Sequence, residues 1–333
     1  MIRSKAISCL VALAVLFSAS TLANRPTLAV AYNPDSPVID GIVDPDEWQN
    51  AAAVSNFVSS SGELMADTTA YVMADDKTLY VAIRCLEQNV AGPVGLARGF
   101  DDRVFDDDSV QLYIAPEDLR EAKEAEISYG GYEGSFDQWY TDIKGYYGFC
   151  VNCKGSTSDS WNEVASFNPS WETKTYVGNG FWTAEMAIPF SSLGINGFPD
   201  NKLWGFNIIR NCSREAELKG WAGCNYGGYT PMPLGAAYLS KSRLVIREEF
   251  PGNITSGNNG MKMVLVNNGS ESAEVVFSFG GDAASSAETI SIPAASVRQI
   301  EKTYMVPTKG HFTVDYSVME EGHAVPLIAN TIN

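Results

Sequence analysis

The sequence predicts an all-β chain folded in two parts, and three observations carry that prediction. Runs rich in β-branched and aromatic residues recur along the chain, many alternating apolar and polar with the period of two that a half-buried strand requires. Helical periodicity is scarce, and only EDLREAKEAE, following Pro116 and ending at Glu126, reads as a short surface helix. Beyond Glu249 the composition changes: PGNITSGNNG reads as a Gly/Asn linker, and all seven tryptophans lie before residue 222. A first domain over 24–249 and a smaller second one over 250–333 are therefore expected.

The first element is a targeting segment. Arg3 and Lys5 precede the apolar run Ala6 to Phe17, and small residues follow to Ala23, the pattern of a secretory signal over 1–23 that is too short to span a bilayer as a mature anchor. The strands come next. TTAYVMAD and TLYVAIRCL flank Asp75-Asp76-Lys77, which reads as a hairpin turn because aspartate tolerates the backbone geometry. SVQLYIA places Val110, Leu112 and Ile114 on one face. In GFWTAEMAIP, Pro189 ends the strand and Ser191 or Ser192 starts a short turn, and LWGFNIIRN follows. In the second part, MKMVLVNN, AEVVFSF, ETISIP, SVRQIEKTYMV and HFTVDYSVME are separated by Gly, Asn and Pro. About 84 residues in such strands suit a small immunoglobulin-like β-sandwich.

Composition removes several function classes. Acidic residues outnumber basic ones 40 to 23, giving a formal net charge of −17, a field that repels phosphate backbones and anionic lipid heads. No nucleic-acid partner is expected, and no membrane partner once the signal is removed. The two histidines, His311 and His323, both lie near the C-terminus, which leaves a His-based triad or a His-ligated haem no material in the first domain. No nucleophile elbow, phosphate loop or dinucleotide fingerprint is present, so no enzyme is expected. Outside the signal lie Cys85, Cys150, Cys153, Cys212 and Cys224. In an exported chain Cys150 with Cys153, or Cys212 with Cys224, are disulfide candidates, and Cys85 reads as a buried thiol. Cys150-Val-Asn-Cys153 lacks the second pair that a zinc site needs.

An ordered set of motifs carries a family resemblance. VIDGIVDPDEWQNA, TLYVAIRC, DDDSVQLYIAPED, YYGFCVNCKG, FWTAEMAIPFSSLG, LWGFNIIRN and PMPLGAAYL follow one another between about Pro37 and Leu239. Together they resemble the family 9 carbohydrate-binding module, which implies an antiparallel β-sandwich. Each motif also has a folding role of its own: Gly41 reverses the chain in IDG, and Trp48 plugs the sandwich.

The resemblance implies a sugar held between two aromatic rings, with polar neighbours taking its hydroxyls, because a pyranose offers an apolar C–H face and a polar edge. Phe105 stands beside the first clamp position and Tyr229 near the second, where no Trp occurs; Trp221 is a wall or further platform. Gln111 replaces the usual acidic acceptor, and Asn207, Arg210 and Asn211 are the remaining hydroxyl partners. Each has a structural alternative: the rings cap the sandwich, and Arg210 pairs with a carboxylate. The aromatic stretch holding Trp139, Tyr140, Tyr146 and Tyr147 is either a platform or a loop packed on itself. Asp101, Asp102, Asp106, Asp107 and Asp108 form either a solvated acidic loop or the structural calcium site that the resemblance implies. The expectation is an exported, non-catalytic protein, secreted, periplasmic or on the cell surface, that binds an oligo- or polysaccharide. The alternative is a structural or adhesive surface protein that kept the sandwich and lost the sugar site.

Overall fold

The computed structural model describes residues 26–332 apart from 60–61, 66, 90, 117–145, 162–164, 225–233, 253–254, 311 and 324. The expected signal over 1–23 and the expected helix over 117–126 lie outside the described residues.

Two sheets make the first sandwich. In one, β9 (Thr157–Trp161), β8 (Tyr147–Asn152), β7 (Ser109–Ala115) and β12 (Lys202–Cys212) lie side by side and antiparallel. Beyond β12, one end pairs with β13 (Glu217–Gly220), which continues through β3 (Phe57–Ser59) to β4 (Leu64–Met65), and the other with β14 (Gly235–Leu239). The facing sheet runs β10 (Glu172–Gly178), β11 (Phe181–Pro189), β6 (Thr78–Leu86), β5 (Thr68–Ala74) and β2 (Ala52–Val54). Val110, Leu112 and Ile114 are fully buried, as their alternation predicts, and they pack with Trp182, Trp204 and Phe206 in the core between the sheets. Each such side chain contributes roughly 1.5–3 kcal/mol by leaving water. The turn between β5 and β6 is set by Asp75, whose Oδ1 accepts from the backbone N–H of Lys77 and Thr78, each at 2.7 Å.

The IDG segment is held from inside. Gly41 has φ +94°, and a Cβ there would lie 2.8 Å from the Thr175 carbonyl carbon, so both conformation and space require glycine. Its N–H donates to Glu185 Oε2 at 2.7 Å, while the Trp48 indole donates to Glu185 Oε1 at 2.8 Å. Burial pushes the Glu185 carboxyl upward against those donors.

The second sandwich packs β15 (Leu244–Phe250), β16 (Gly257–Asn267) and β19 (Ser296–Val306) against β17 (Ala273–Gly281), β18 (Ser286–Ile292), β20 (Val314–Glu320) and β21 (Ile328–Ile332) around its own core. Here the structure differs from the sequence reading. The Gly/Asn-rich run does not separate the sandwiches. It leads from β15 into β16, whose first four residues, Gly257 to Gly260, it supplies, and Leu244 and Ile246 already belong to the second core. The sheets are also joined: β1 (Thr27–Tyr32) pairs with β14, with β5 and, through Thr27 and Leu28, with β21 of the second sandwich.

The five described thiols are free, which corrects the disulfide expectation. Cys150 lies within β8 opposite Gln111 and Ser158, and Cys224 Sγ contacts the Leu218 carbonyl oxygen at 3.1 Å rather than Cys212. Burial pushes Cys85 and Cys150 up to about 12 and Cys153, Cys212 and Cys224 up to about 11, so none is poised as a thiolate.

Candidate functional site

Registration across β12, β7, β8 and β9 builds rows on the outer face of their sheet. One row is Asn207, Tyr113, Gly148 and Ser160; the next is Ile209, Gln111, Cys150 and Ser158; the third is Asn211, Ser109 and Asn152. Since Val110, Leu112 and Ile114 face the core, Gln111 and Tyr113 face outward. Both are half-buried, as are Ser158 and Ser160. The Tyr113 hydroxyl donates to Gln111 Oε1 at 2.8 Å, and Gln111 Nε2 has no partner among the described residues. A Cβ on Gly148 would lie 2.8 Å from Ser160 Oγ and 3.5 Å from the Tyr113 ring, so glycine lets those two side chains close over the strand.

Phe105 stands at the Ser109 end of this strip on a single 3-10 turn, Val104–Asp106, and is 51% exposed. What fixes it is Asn211. That amide donates to the carbonyl oxygens of Phe105 at 2.7 Å and Asp107 at 2.8 Å. Asn207 does the same for the turn after β13: its Nδ2 donates to the Gly223 carbonyl oxygen at 3.0 Å, and its Oδ1 accepts from the Ala222 N–H at 2.9 Å. Both asparagines are buried and tie backbone in place, whereas the sequence reading offered them to sugar hydroxyls.

Arg210 and Trp221 lie on the inner side. Arg210 alternates with Asn211 and is 4% exposed; it donates to the Leu86 carbonyl oxygen at 2.7 Å and to Thr68 Oγ1 at 3.1 Å, and it reaches Asp67 at 3.4 Å. It ties one sheet to the other instead of reaching the outer face. Asp67 also meets Lys219 at 2.7 Å; burial pushes its carboxyl upward, and the two cations outweigh that and hold it low. Trp221 packs edge-on against Phe206, with centroids 6.0 Å apart, inside the first core. Tyr229 lies outside the described residues, as do Trp139 and Tyr140. Tyr146 is buried with its ring centroid 6.2 Å from that of Tyr113, and Tyr147 packs on Phe167.

The acidic loop is organised by protein donors. Asp107 is bidentate with Arg98, at 2.8 Å for each contact, and the Arg98 hydrogen bond holds its carboxyl low. Asp108 accepts from the N–H of Val94 and of Ser213, while burial pushes it upward. Asp106 pairs with Arg103, and Asp102 accepts from the Arg103 N–H. Asp101 accepts from the N–H of Asp159, a buried carboxyl that burial pushes up to about 6. Among the described residues no group of three His, Cys, Asp or Glu side chains is gathered to hold a metal ion.

Tyr113 is the outward-facing residue that sequence reasoning missed. The signal was present, because the alternation that sends Val110, Leu112 and Ile114 inward sends Tyr113 out with Gln111. No described helix is long and apolar enough to cross a membrane.

The family model described as carbohydrate family 9 binding domain-like matches residues 39–224. Among solved structures, the chain is similar to a family 9 carbohydrate-binding module from Caldicellulosiruptor kristjanssonii in complex with glucose. The two are 20% identical, with 64% of this chain and 95% of that one covered and a TM-score of 0.43. The same module in complex with cellotriose gives 20% identity, 64% and 93% coverage, and a TM-score of 0.43. No curated protein matches the chain.

Proposed function

The chain belongs to the carbohydrate family 9 binding domain-like family through residues 39–224, and from that premise we propose that it is an exported, non-catalytic protein that binds a glycan on the outer face of the first sandwich. The observation that carries the location is the strip from exposed Phe105 past Gln111 to Tyr113. Ser109 to Tyr113 spans about 14 Å along the strand, room for two to three sugar units. The Phe105 ring takes a pyranose C–H face, Gln111 Nε2 donates to a hydroxyl, and the Tyr113, Ser158 and Ser160 hydroxyls extend the polar edge. Tyr229 is the second ring. Asn211 acts on the glycan through Phe105, as a positioning residue.

Affinity electrophoresis of the purified chain through gels containing soluble β-glucans tests this reading. Retardation is expected, and Phe105→Ala with Tyr229→Ala should weaken it about tenfold or more, the loss of roughly 1.4 kcal/mol. Retardation unchanged in the double variant would remove the strip as the site. A second reading, a surface protein without sugar affinity, is favoured by the inward placement of Trp221 and Arg210. It predicts no retardation by any glycan.

A further inference from the structure

A cleft of about 580 Å³ opens where the two sandwiches meet, between β2 and β5 on one side and β15 and β16 on the other, a size typical of small-ligand sites. Its floor is a buried polar junction: Asn56 Nδ2 donates to the Tyr316 hydroxyl at 2.6 Å, Tyr316 donates to Glu249, and Ser55 Oγ donates to the Glu249 carbonyl oxygen. Among the lining residues are Thr69, Tyr71, Arg247, Phe250 and Lys262.

Arg247 is the feature that asks for a ligand. Ile246 pairs with Leu265 and Glu248 with the adjacent Val264, so Arg247 is the extra residue of a β-bulge, a device that re-aims a side chain. It is the one partly buried arginine among the described residues without a hydrogen bond, ion pair or ring partner. Its neighbours do not neutralise it. Glu248 is engaged with Lys262 at 2.8 Å, and burial pushes the Glu249 carboxyl up to about 7, which keeps it uncharged in mildly acid solution. A guanidinium fork left open in a cleft matches a carboxylate, which it grips through two parallel hydrogen bonds. Tyr71 and the half-exposed Phe250 give the same cleft two ring surfaces, and Thr69 gives it a hydroxyl.

We propose that this cleft is a second saccharide site, selective for a uronic acid, in which Arg247 holds the carboxylate and Tyr71 and Phe250 flank the pyranose. The choice of a saccharide rests on the carbohydrate reading above, while the site shares no residue with the Phe105 strip.

The test is isothermal titration of the full chain with digalacturonate, its methyl ester and cellotriose. Digalacturonate binding is expected to fall at least tenfold in Arg247→Ala, to be partly kept in Arg247→Lys, and to survive Phe105→Ala. The methyl ester should bind at least tenfold more weakly than the acid. Thermal melts confirm that each variant is folded. Folded Arg247→Ala binding digalacturonate as tightly as the parent would overturn the proposal. So would equal affinity for the methyl ester, no digalacturonate binding at millimolar concentration, or equal binding of a short glutamate peptide. A parent chain that binds digalacturonate but no cellotriose counts against the strip and leaves the cleft standing.

Discussion

Asn211 and Gln111 sit in adjacent rows on the same face, yet their amides do different work. Removing Asn211 leaves the carbonyl oxygens of Phe105 and Asp107 without their donor, so Asn211→Ala is expected to cost about 1–3 kcal/mol of stability and to weaken glycan binding as well. Gln111→Ala should weaken binding several-fold at a smaller cost, about 0.5–1.5 kcal/mol, because it removes only the acceptor of the Tyr113 hydroxyl and its Nε2 has no partner among the described residues. Melting curves run beside affinity gels separate the two, and an Asn211→Ala variant with parental stability and affinity would deny it the positioning role. Arg210 behaves differently again. Arg210→Met leaves the Leu86 carbonyl oxygen and the Thr68 hydroxyl without their donor and Asp67 with Lys219 alone, and a loss of about 1–3 kcal/mol is expected in urea unfolding. Sequence alone offered Arg210 and Asn211 equally as ligands. In LWGFNIIRN both Ile208 and Ile209 are buried, so no clean alternation reveals which neighbour faces out, and only the register with β7 decides it. Trp221 was equally illegible, since an indole in a glycine-rich stretch shows no periodicity and its partner Phe206 is distant in sequence.

At the scale of elements, strands with strong local patterns were readable almost to the residue. TLYVAIRCL and SVQLYIA appear as β6 and β7 with the expected ends, because β-branched content, alternation and adjacent turn residues all agree there. Connections were harder. PGNITSGNNG has linker composition, but the same residues suit a turn and the start of the next strand, and only the pairing of Leu244–Phe250 with Lys262–Asn267 distinguishes the two. The junction through β1 and β21 was also hidden, because TLAVAY and IANTI lie at opposite ends of the chain. That shared pairing has a thermodynamic consequence. Unfolding either sandwich strips a partner from β1 and opens the Asn56–Tyr316–Glu249 junction, so calorimetry of the full chain should show one cooperative transition. Two transitions well separated in temperature would mean that the junction contributes little.

For the whole molecule, the buried Glu249 links that junction to pH. Burial raises its carboxyl from the ordinary value of 4.5 to about 7, so between those limits the folded chain holds a proton that the unfolded chain has released. Folding is then favoured at the acid end of the window, and stability falls as pH rises from about 4.5 through 7, levelling above it. The full shift corresponds to roughly 3 kcal/mol. Asp159, raised to about 6, pulls the same way, and so does self-repulsion in a chain with net charge −17. Asp67 and Asp107 are held low by their cations and act oppositely, losing their contribution only as pH falls toward and below the ordinary aspartate range. The melting temperature is therefore expected to decline between pH 5.5 and 7.5. Glu249→Gln should flatten much of that slope, since an amide keeps the shape and cannot ionise, and Asp159→Asn should remove a further part. A Glu249→Gln variant whose melting temperature follows pH as steeply as the parent's would mean that this carboxyl is already ionised at the acid end, and that the sandwiches are held together without its proton.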